Sequence, residues 1–323
     1  MANDEETIRR RIQLIAGSTY SVSLPKKWVL QNRLKEKDEV AIHQRGDNSL
    51  VVMPGAEASA KNNESFNLVI EEYKEDIIQV LYVLYYLGFQ KVTVKSKSGF
   101  TLEQRLKVKE SLRHMVGTEI FHEDEQSIVF NVLLEKSKVN INQLFYRTAL
   151  IIGSSIDILL ERGNHEEIRR NEDELDRLYN LISKIIFLSH TSPEVLVTSG
   201  IGYTHLFSPY LLTGKKLENI SDEIEKLAAH LKRKKQADPR MRSALAFLKE
   251  NLHENMKFFM KAEMTGFTKT EPGRVDKIRS SADRIADLTV RKHIMDCLRL
   301  VVDIEEELTT VSFYRRLIAD KVI

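Results

Sequence analysis

Glu172 and Asp176 stand four residues apart, and so do Glu218 and Asp222. Positions i and i+4 share one face of a helix, and leucines and isoleucines at helical spacing surround both pairs. Each pair therefore projects two carboxylates the same way, along the edge of a core stripe such as Leu175, Leu178, Ile182 and Ile185. In that place a pair is either a solvated flank or half of a metal site. Asp176 and Asp222 share the midpoint 199, where Ser199-Gly200 suits a turn. An antiparallel hairpin about that turn would set Asp176 opposite Asp222, with Glu172 and Glu218 one turn away in opposite directions. Four carboxylates at one seam repel unless protons or cations intervene, and hard or borderline cations with oxygen ligands suit such a site.

A second candidate is basic. From Thr7 to Lys35 there is no Asp or Glu, while Arg9, Arg10, Arg11, Lys26, Lys27, Arg33 and Lys35 all fall there. In a chain whose formal net charge is +2, an acid-free basic segment points to a local phosphate-binding surface. The alternative is that arginines at the start of a strand merely solvate it. Other chemistry finds no support. The single Cys297 sits in an apolar helical pattern and reads as a buried thiol. Glu250-x-x-His253 occurs once, whereas a di-iron bundle uses two such motifs. No nucleophile elbow, P-loop or H-E-x-x-H motif is present, so the chain is expected not to be an enzyme. Tyr82, Tyr85 and Tyr86 read as packing residues.

The elements that would carry these residues follow from periodicity. At 323 residues the chain predicts two or three domains, and no apolar run reaches the roughly 20 residues of a membrane span. The acidic start has no apolar signal segment, which predicts a cytoplasmic protein. Residues 8–54 alternate like strands, over Arg10–Ile15, Tyr20–Leu24, Glu39–His43 and Ser49–Met53, with a short helix from Lys26 to Arg33 and a hairpin turn at Gly46-Asp47-Asn48. Such a small unit normally needs a partner subunit. Residues 57–65 have linker composition. Residues 66–137 then predict a βαβαββ order and an α+β sandwich, with Thr101 as a helix N-cap.

Nearly everything from residue 138 onward predicts helix. Ile141–Arg162 and Glu166–Ser189 come first, and Ser192-Pro193 breaks the pattern. Pro209 and Gly214 interrupt the chain before a third helix carrying Leu217 to Leu231. The basic run Lys232 to Lys235 suits a helix end. Further helices are expected over Met241–Met264, Val275–Lys292 and Ile294–Lys321.

Two stretches resemble known families. Gln13 to Trp28, with Gly17-Ser18-Thr19-Tyr20 and Val22-Ser23-Leu24-Pro25-Lys26 inside it, followed by Asp38-Glu39-Val40, resembles the SpoVT/AbrB family of DNA-binding domains. It is similar to the variant fused to archaeal PhoU-like proteins. That resemblance implies a swapped-hairpin barrel in residues 1–56, an intertwined homodimer, and a basic DNA-facing surface with Arg9, Arg10, Arg11, Lys26 and Lys27 as contacts. The Glu-x-x-x-Asp pairs resemble the PhoU family, whose helical domain has two three-helix repeats with such motifs. This implies repeats over 138–236 and 237–323, and a divalent or iron-type metal ion held by Glu172, Asp176, Glu218 and Asp222.

The second repeat departs from the pattern. Arg279 and Arg299 stand where Glu172 and Glu218 do, each four residues before an aspartate, Asp283 and Asp303, which share a midpoint at His293. An Arg–Asp pair at i,i+4 can neutralise itself. The expectation is a multidomain α+β chain acting as a DNA-binding regulator of phosphate uptake or signalling, its helical region sensing through metal or a partner. The competing expectation is an adaptor that docks on a phosphate transporter or sensor kinase without binding DNA.

Overall fold

Short alternating runs make two antiparallel ladders in the N-terminal part of the computed structural model. The structure describes residues 8–44, 49–55, 65–73, 76–161, 164–232, 238–261 and 264–322, and the chain divides into two units, Met1–Glu64 and Ser65–Ile323.

In the first unit, β1 (Gln13–Ile15) pairs with β2 (Thr19–Ser21), Ile15 lying opposite Thr19. The turn between them runs through Ala16 at φ 49° and Gly17 at φ 73°. Gly17 takes that left-handed geometry without steric cost, and Ala16 is the strained partner. The ladder begins at Gln13, so Arg10, Arg11 and Ile12 precede it and do not extend it as the alternation suggests. A six-residue helix, α1 (Lys26–Gln31), follows Pro25, whose carbonyl accepts from Val29 N–H. Strands β3 (Val40–Gln44) and β4 (Leu50–Pro54) pair from Val40 opposite Pro54 to Gln44 opposite Leu50. The hairpin turn expected at Gly46-Asp47-Asn48, and nearly all of the 57–65 linker, lie outside the described residues.

The second unit starts with a four-stranded sheet in the order β5-β6-β8-β7, built from β5 (Ser65–Val69), β6 (Lys91–Lys95), β7 (Thr118–Glu123) and β8 (Ser127–Val132). β5 and β6 are parallel, and the other pairings are antiparallel. A parallel pair needs a crossover, and α2 (Ile77–Tyr86) supplies it. Helix α3 (Leu102–Arg113) begins at Thr101, which forms a complete capping box with Gln104. Leu81, Leu84 and Tyr85 of α2 and Val108 and Leu112 of α3 bury one sheet face, made of Leu68, Val92, Val94, Ile128 and Phe130.

Among the described residues, six principal helices and one short one follow. They are α4 (Ile141–Leu160), α5 (His165–Thr191), the short α6 (Pro193–Thr198), α7 (Phe207–Leu231), α8 (Pro239–Met260), α9 (Pro272–Ala282) and α10 (Leu288–Ala319). They share one apolar core, centred on Phe145, Tyr210 and Phe259, whose rings lie 4.7–5.6 Å apart. Against the expectation that no apolar run reaches a membrane span, α4 is long and apolar enough to cross one by length and composition. Its Ile141, Phe145, Ile152 and Ile156 belong to this core.

Two expectations about the helices fail, for physical reasons. Pro209 and Gly214 lie inside α7. Pro209 occupies the first turn, where its missing N–H would have had no intrahelical partner. Gly214 is buried within the helix, where a Cβ would make ordinary contacts with Ile182, Tyr179 and Phe145 at 3.4–3.7 Å, and the packed apolar face of α7 outweighs the roughly 1 kcal/mol that a mid-helix glycine costs.

The second failure concerns the turn at His293. That residue is buried within α10, which starts instead after Asp287, an N-cap accepting from Thr289 and Val290 N–H. The 279–303 stretch therefore folds as a short helix and one long one, and the second hairpin seam does not exist. Asp283 follows the end of α9, largely exposed and 4.0 Å from Arg291. Arg299 pairs with Asp296, not Asp303, and the Asp303 carbonyl accepts from Lys216.

Candidate nucleic-acid interface and carboxylate cluster

In the first unit the basic residues come from three places. Arg9, Arg10 and Arg11 precede β1, Lys26 and Lys27 open α1, and Arg33 and Lys35 follow it; all seven are exposed. Two lysines in the first turn of a helix oppose its dipole, and no acidic residue offsets them there. Local helix stability therefore does not explain their placement. Arg33 sits at φ 55° and Lys37 at φ 74°, where the chain turns toward β3, and Lys35 N–H donates to the Asp38 carboxylate at 2.7 Å.

The apolar side chains of this unit are as notable as its charges. None is buried among its described residues. Ile12 is 72% exposed, Tyr20 73% and Ile42 62%. An apolar surface of this density on so small a unit marks an interaction face.

In the second unit α5 and α7 pack as a hairpin, connected through α6 and the turn at Gly200, which has φ +82°. Glu172, Asp176 and Asp222 converge there, with one carboxylate oxygen from each lying within 4.8 Å of the others. All three are half-buried. Burial, aided by Asp176 and Asp222, raises the Glu172 carboxyl to about 7. Burial likewise raises Asp176, against the opposing pull of His114, whose Nδ1 is 3.5 Å from Asp176 Oδ2. In both groups burial is the largest cause, and it disfavours the charged carboxylate.

Glu218 does not join them. Both its oxygens accept from Lys215 Nζ, at 2.7 and 2.6 Å, so its charge is already answered. Its carboxyl is nonetheless raised, because burial outweighs Lys215. The seam is thus a three-carboxylate group, and the fourth expected member is an ion pair beside it.

A cleft of about 340 Å³ opens on the group, lined by Arg169, Glu172, Asp222, Glu225 and Lys226. Lys226 Nζ lies 3.7 Å from Asp222 Oδ2 and 3.1 Å from Glu223 Oε1, and His165 Nε2 lies 3.1 Å from Glu225 Oε1. Arg169, Glu225 and Lys226 stand three or four residues from Glu172 or Asp222, so the helical period that exposed the carboxylates carried a signal for them too. His114 had none. It arrives from the end of α3, 62 residues before Asp176 along the chain, and only packing brings it there. Three carboxylate oxygens at this separation, with the His114 ring nitrogen at the edge, form a donor set suited to a hard or borderline divalent ion.

No curated protein and no solved structure matches the chain. The family model described as antidote-toxin recognition MazE, bacterial antitoxin, matches residues 13–59. The N-terminal unit therefore carries a domain of the AbrB/MazE type, a type that binds DNA and dimerises.

Proposed function

We propose that the protein is a homodimeric, DNA-binding transcriptional regulator of phosphate uptake or phosphate signalling. The observation that carries the DNA part is the acid-free basic segment on an AbrB/MazE-type domain, with Arg9, Arg10, Arg11, Lys26 and Lys27 as the contacting residues. The exposed apolar side chains of the same unit support pairing with a second copy, since they have no intrachain core to enter. The phosphate role rests on the resemblance of the Glu-x-x-x-Asp motifs to those of PhoU-like helical domains. In this reading a divalent or iron-type ion sits among Glu172, Asp176 and Asp222, or a partner protein docks, and either shifts the helical region. Sequencing DNA that co-purifies with the protein from cells grown at low and high phosphate tests the proposal. Enrichment of a common site beside phosphate-uptake genes is expected, and random DNA at both concentrations would defeat it.

The metal part has its own test. Glu172→Gln with Asp222→Asn is expected to abolish bound metal in elemental analysis of purified protein, and equal metal content in variant and wild type would remove it.

A second reading is an interaction protein, in which the N-terminal unit pairs chains or meets a protein partner and the helical region docks on a transporter or sensor kinase. The family's description as an antitoxin that recognises a toxin favours a protein partner for this kind of domain. A gel shift across a salt series separates the two readings. Binding that weakens steeply with salt reports phosphate contacts, and no binding at low salt favours the adaptor.

A further inference from the structure

Along α5, Asp176, Asn180, Lys184 and Leu188 follow one another at intervals of four residues, which places them on one face. Each meets the sheet region. Asp176 lies 3.5 Å from His114, and Asn180 Oδ1 accepts from Tyr86 hydroxyl at 2.5 Å. Lys184 Nζ donates to the Tyr85 carbonyl at 2.6 Å. Leu188 covers Gly88, where a Cβ would meet Leu188 Cδ2 at 2.6 Å. Tyr86 also stacks on Phe187, with centroids 5.5 Å apart and planes 4° from parallel. One stripe of one helix thus holds the end of α2.

Four of these contacts are ordinary docking contacts. Lys184 is not. It is only 3% exposed, and among the described residues its hydrogen-bond partner is a single backbone carbonyl, with no carboxylate in ion-pair range. A buried ammonium without a counter-ion is costly.

The groups around it can be weighed. From α2, the Tyr85 carbonyl at the helix end and the Tyr85 ring, 3.9 Å from Nζ, favour the charged form. The hydroxyls of Tyr85 and Tyr86 are pushed by burial above the range where they ionise and supply no negative charge. From the turn at Lys136–Lys138, Lys136 adds a like charge. On α5 itself the nearest charged members of the stripe are Asp176, two turns away and facing His114, and its neighbour Arg177. Burial, then Lys136, lower the Lys184 amine to about 7.

We infer that the seam between the sheet region and α5 is a proton-sensitive dock, which opens more readily as pH falls toward neutrality because Lys184 must take its proton in a buried, counter-ion-free position. The sign follows from linkage. Freed from the seam, Lys184 has the ordinary lysine value of 10.5; docked, about 7. Between those values the docked state carries one proton fewer, so opening takes a proton up. The opening equilibrium rises by up to about tenfold for each unit that pH falls in this window and levels off below about 7. Glu172, on the same helix, is raised to the lower edge of this window, and Cys297, the one thiol, is buried and raised far above it.

Hydrogen exchange of α2 and β6 amides in the full chain, corrected for intrinsic exchange, tests this between pH 6 and 9. Wild type is expected to gain protection from pH 7 to 9, by up to about tenfold per unit. Lys184→Met, similar in length and uncharged, is expected to be more protected and flat across that range. Asn180→Ala is expected to loosen the seam yet keep the pH dependence. Equal pH profiles in wild type and Lys184→Met would overturn the inference. A titration of the Lys184 Cε resonance by NMR in wild type decides independently of any variant. A midpoint near neutrality supports the dock, and an ordinary lysine midpoint overturns it.

Discussion

The two units treat their apolar residues in opposite ways. In Ser65–Ile323 the helices and sheet bury Phe130, Phe145, Tyr210 and Phe259 completely, each within its own chain. In the described residues of Met1–Glu64 no side chain is buried, and Leu14, Ile15, Tyr20 and Val22 stand more than half exposed. Composition does not explain the contrast, because both have strand-forming, apolar sequences. Size does. A unit of 64 residues hides a smaller fraction of its apolar surface than one of 259, and the larger one closes two cores.

The largest effect expected from this contrast is in the helical core. Phe145→Ala removes a ring packed on Tyr210 and Phe259 and should cost about 3–5 kcal/mol in denaturant unfolding of the full chain. The loss should not depend on protein concentration. Leu14→Ala, at 56% exposure in the single chain, should instead cost about 1–2 kcal/mol in a concentration-dependent way. A loss for Leu14→Ala that ignores concentration would break the comparison.

Next in size is DNA affinity. Lys26→Ala with Lys27→Ala should flatten the salt dependence of binding by about 2 in slope, roughly one per phosphate contact. Thermal unfolding of the second unit should not move, since neither lysine touches a core.

The carboxylate cluster offers a smaller effect, carried by pH. The Glu172 carboxyl is raised from 4.5 to about 7, so the folded state holds its proton more tightly than the unfolded chain. That contribution is fully present below about 4.5 and is lost as pH rises through about 7. Glu172→Gln should therefore stabilise at pH 8, by roughly 1 kcal/mol after discounting for solvent screening, and change little at pH 5. Added divalent ion should raise the wild-type melting temperature at pH 8 and not that of the variant.

The smallest effect contrasts the two halves of the helical region. Arg299→Ala removes an exposed pair with Asp296 and should shift stability by no more than about 0.5 kcal/mol. A larger loss would mean that Arg299 answers a buried charge after all.

Much of this structure was readable in local chemistry. Thr101 as N-cap, Ser192-Pro193 as a break and the alternation of Val92 and Val94 with Lys91, Thr93 and Lys95 appear in the structure where the residue types place them. The carboxylates were visible because i,i+4 spacing on a helix is a local fact. The errors came from breakers and caps. Pro209 and Gly214 read as interruptions, but Pro209 sits in a first turn that accepts it and packing carries the helix through Gly214. Asp287, which starts α10, was overlooked, and with it the true turn.

Whatever depends on neighbours distant in sequence was out of reach. Midpoint arithmetic set Asp176 against Asp222, and the Lys215–Glu218 pair, three residues apart on one helix, was a local signal that went unread. His114 against Asp176, and Lys184 sealed under Tyr85, depend on how the sheet region sits on α5. The order of residues sets which side chains share a face, because the helical and strand periods are properties of the backbone. Which charges stay unanswered on that face is set by packing, because burial and the arrival of a counter-charge depend on segments tens of residues away.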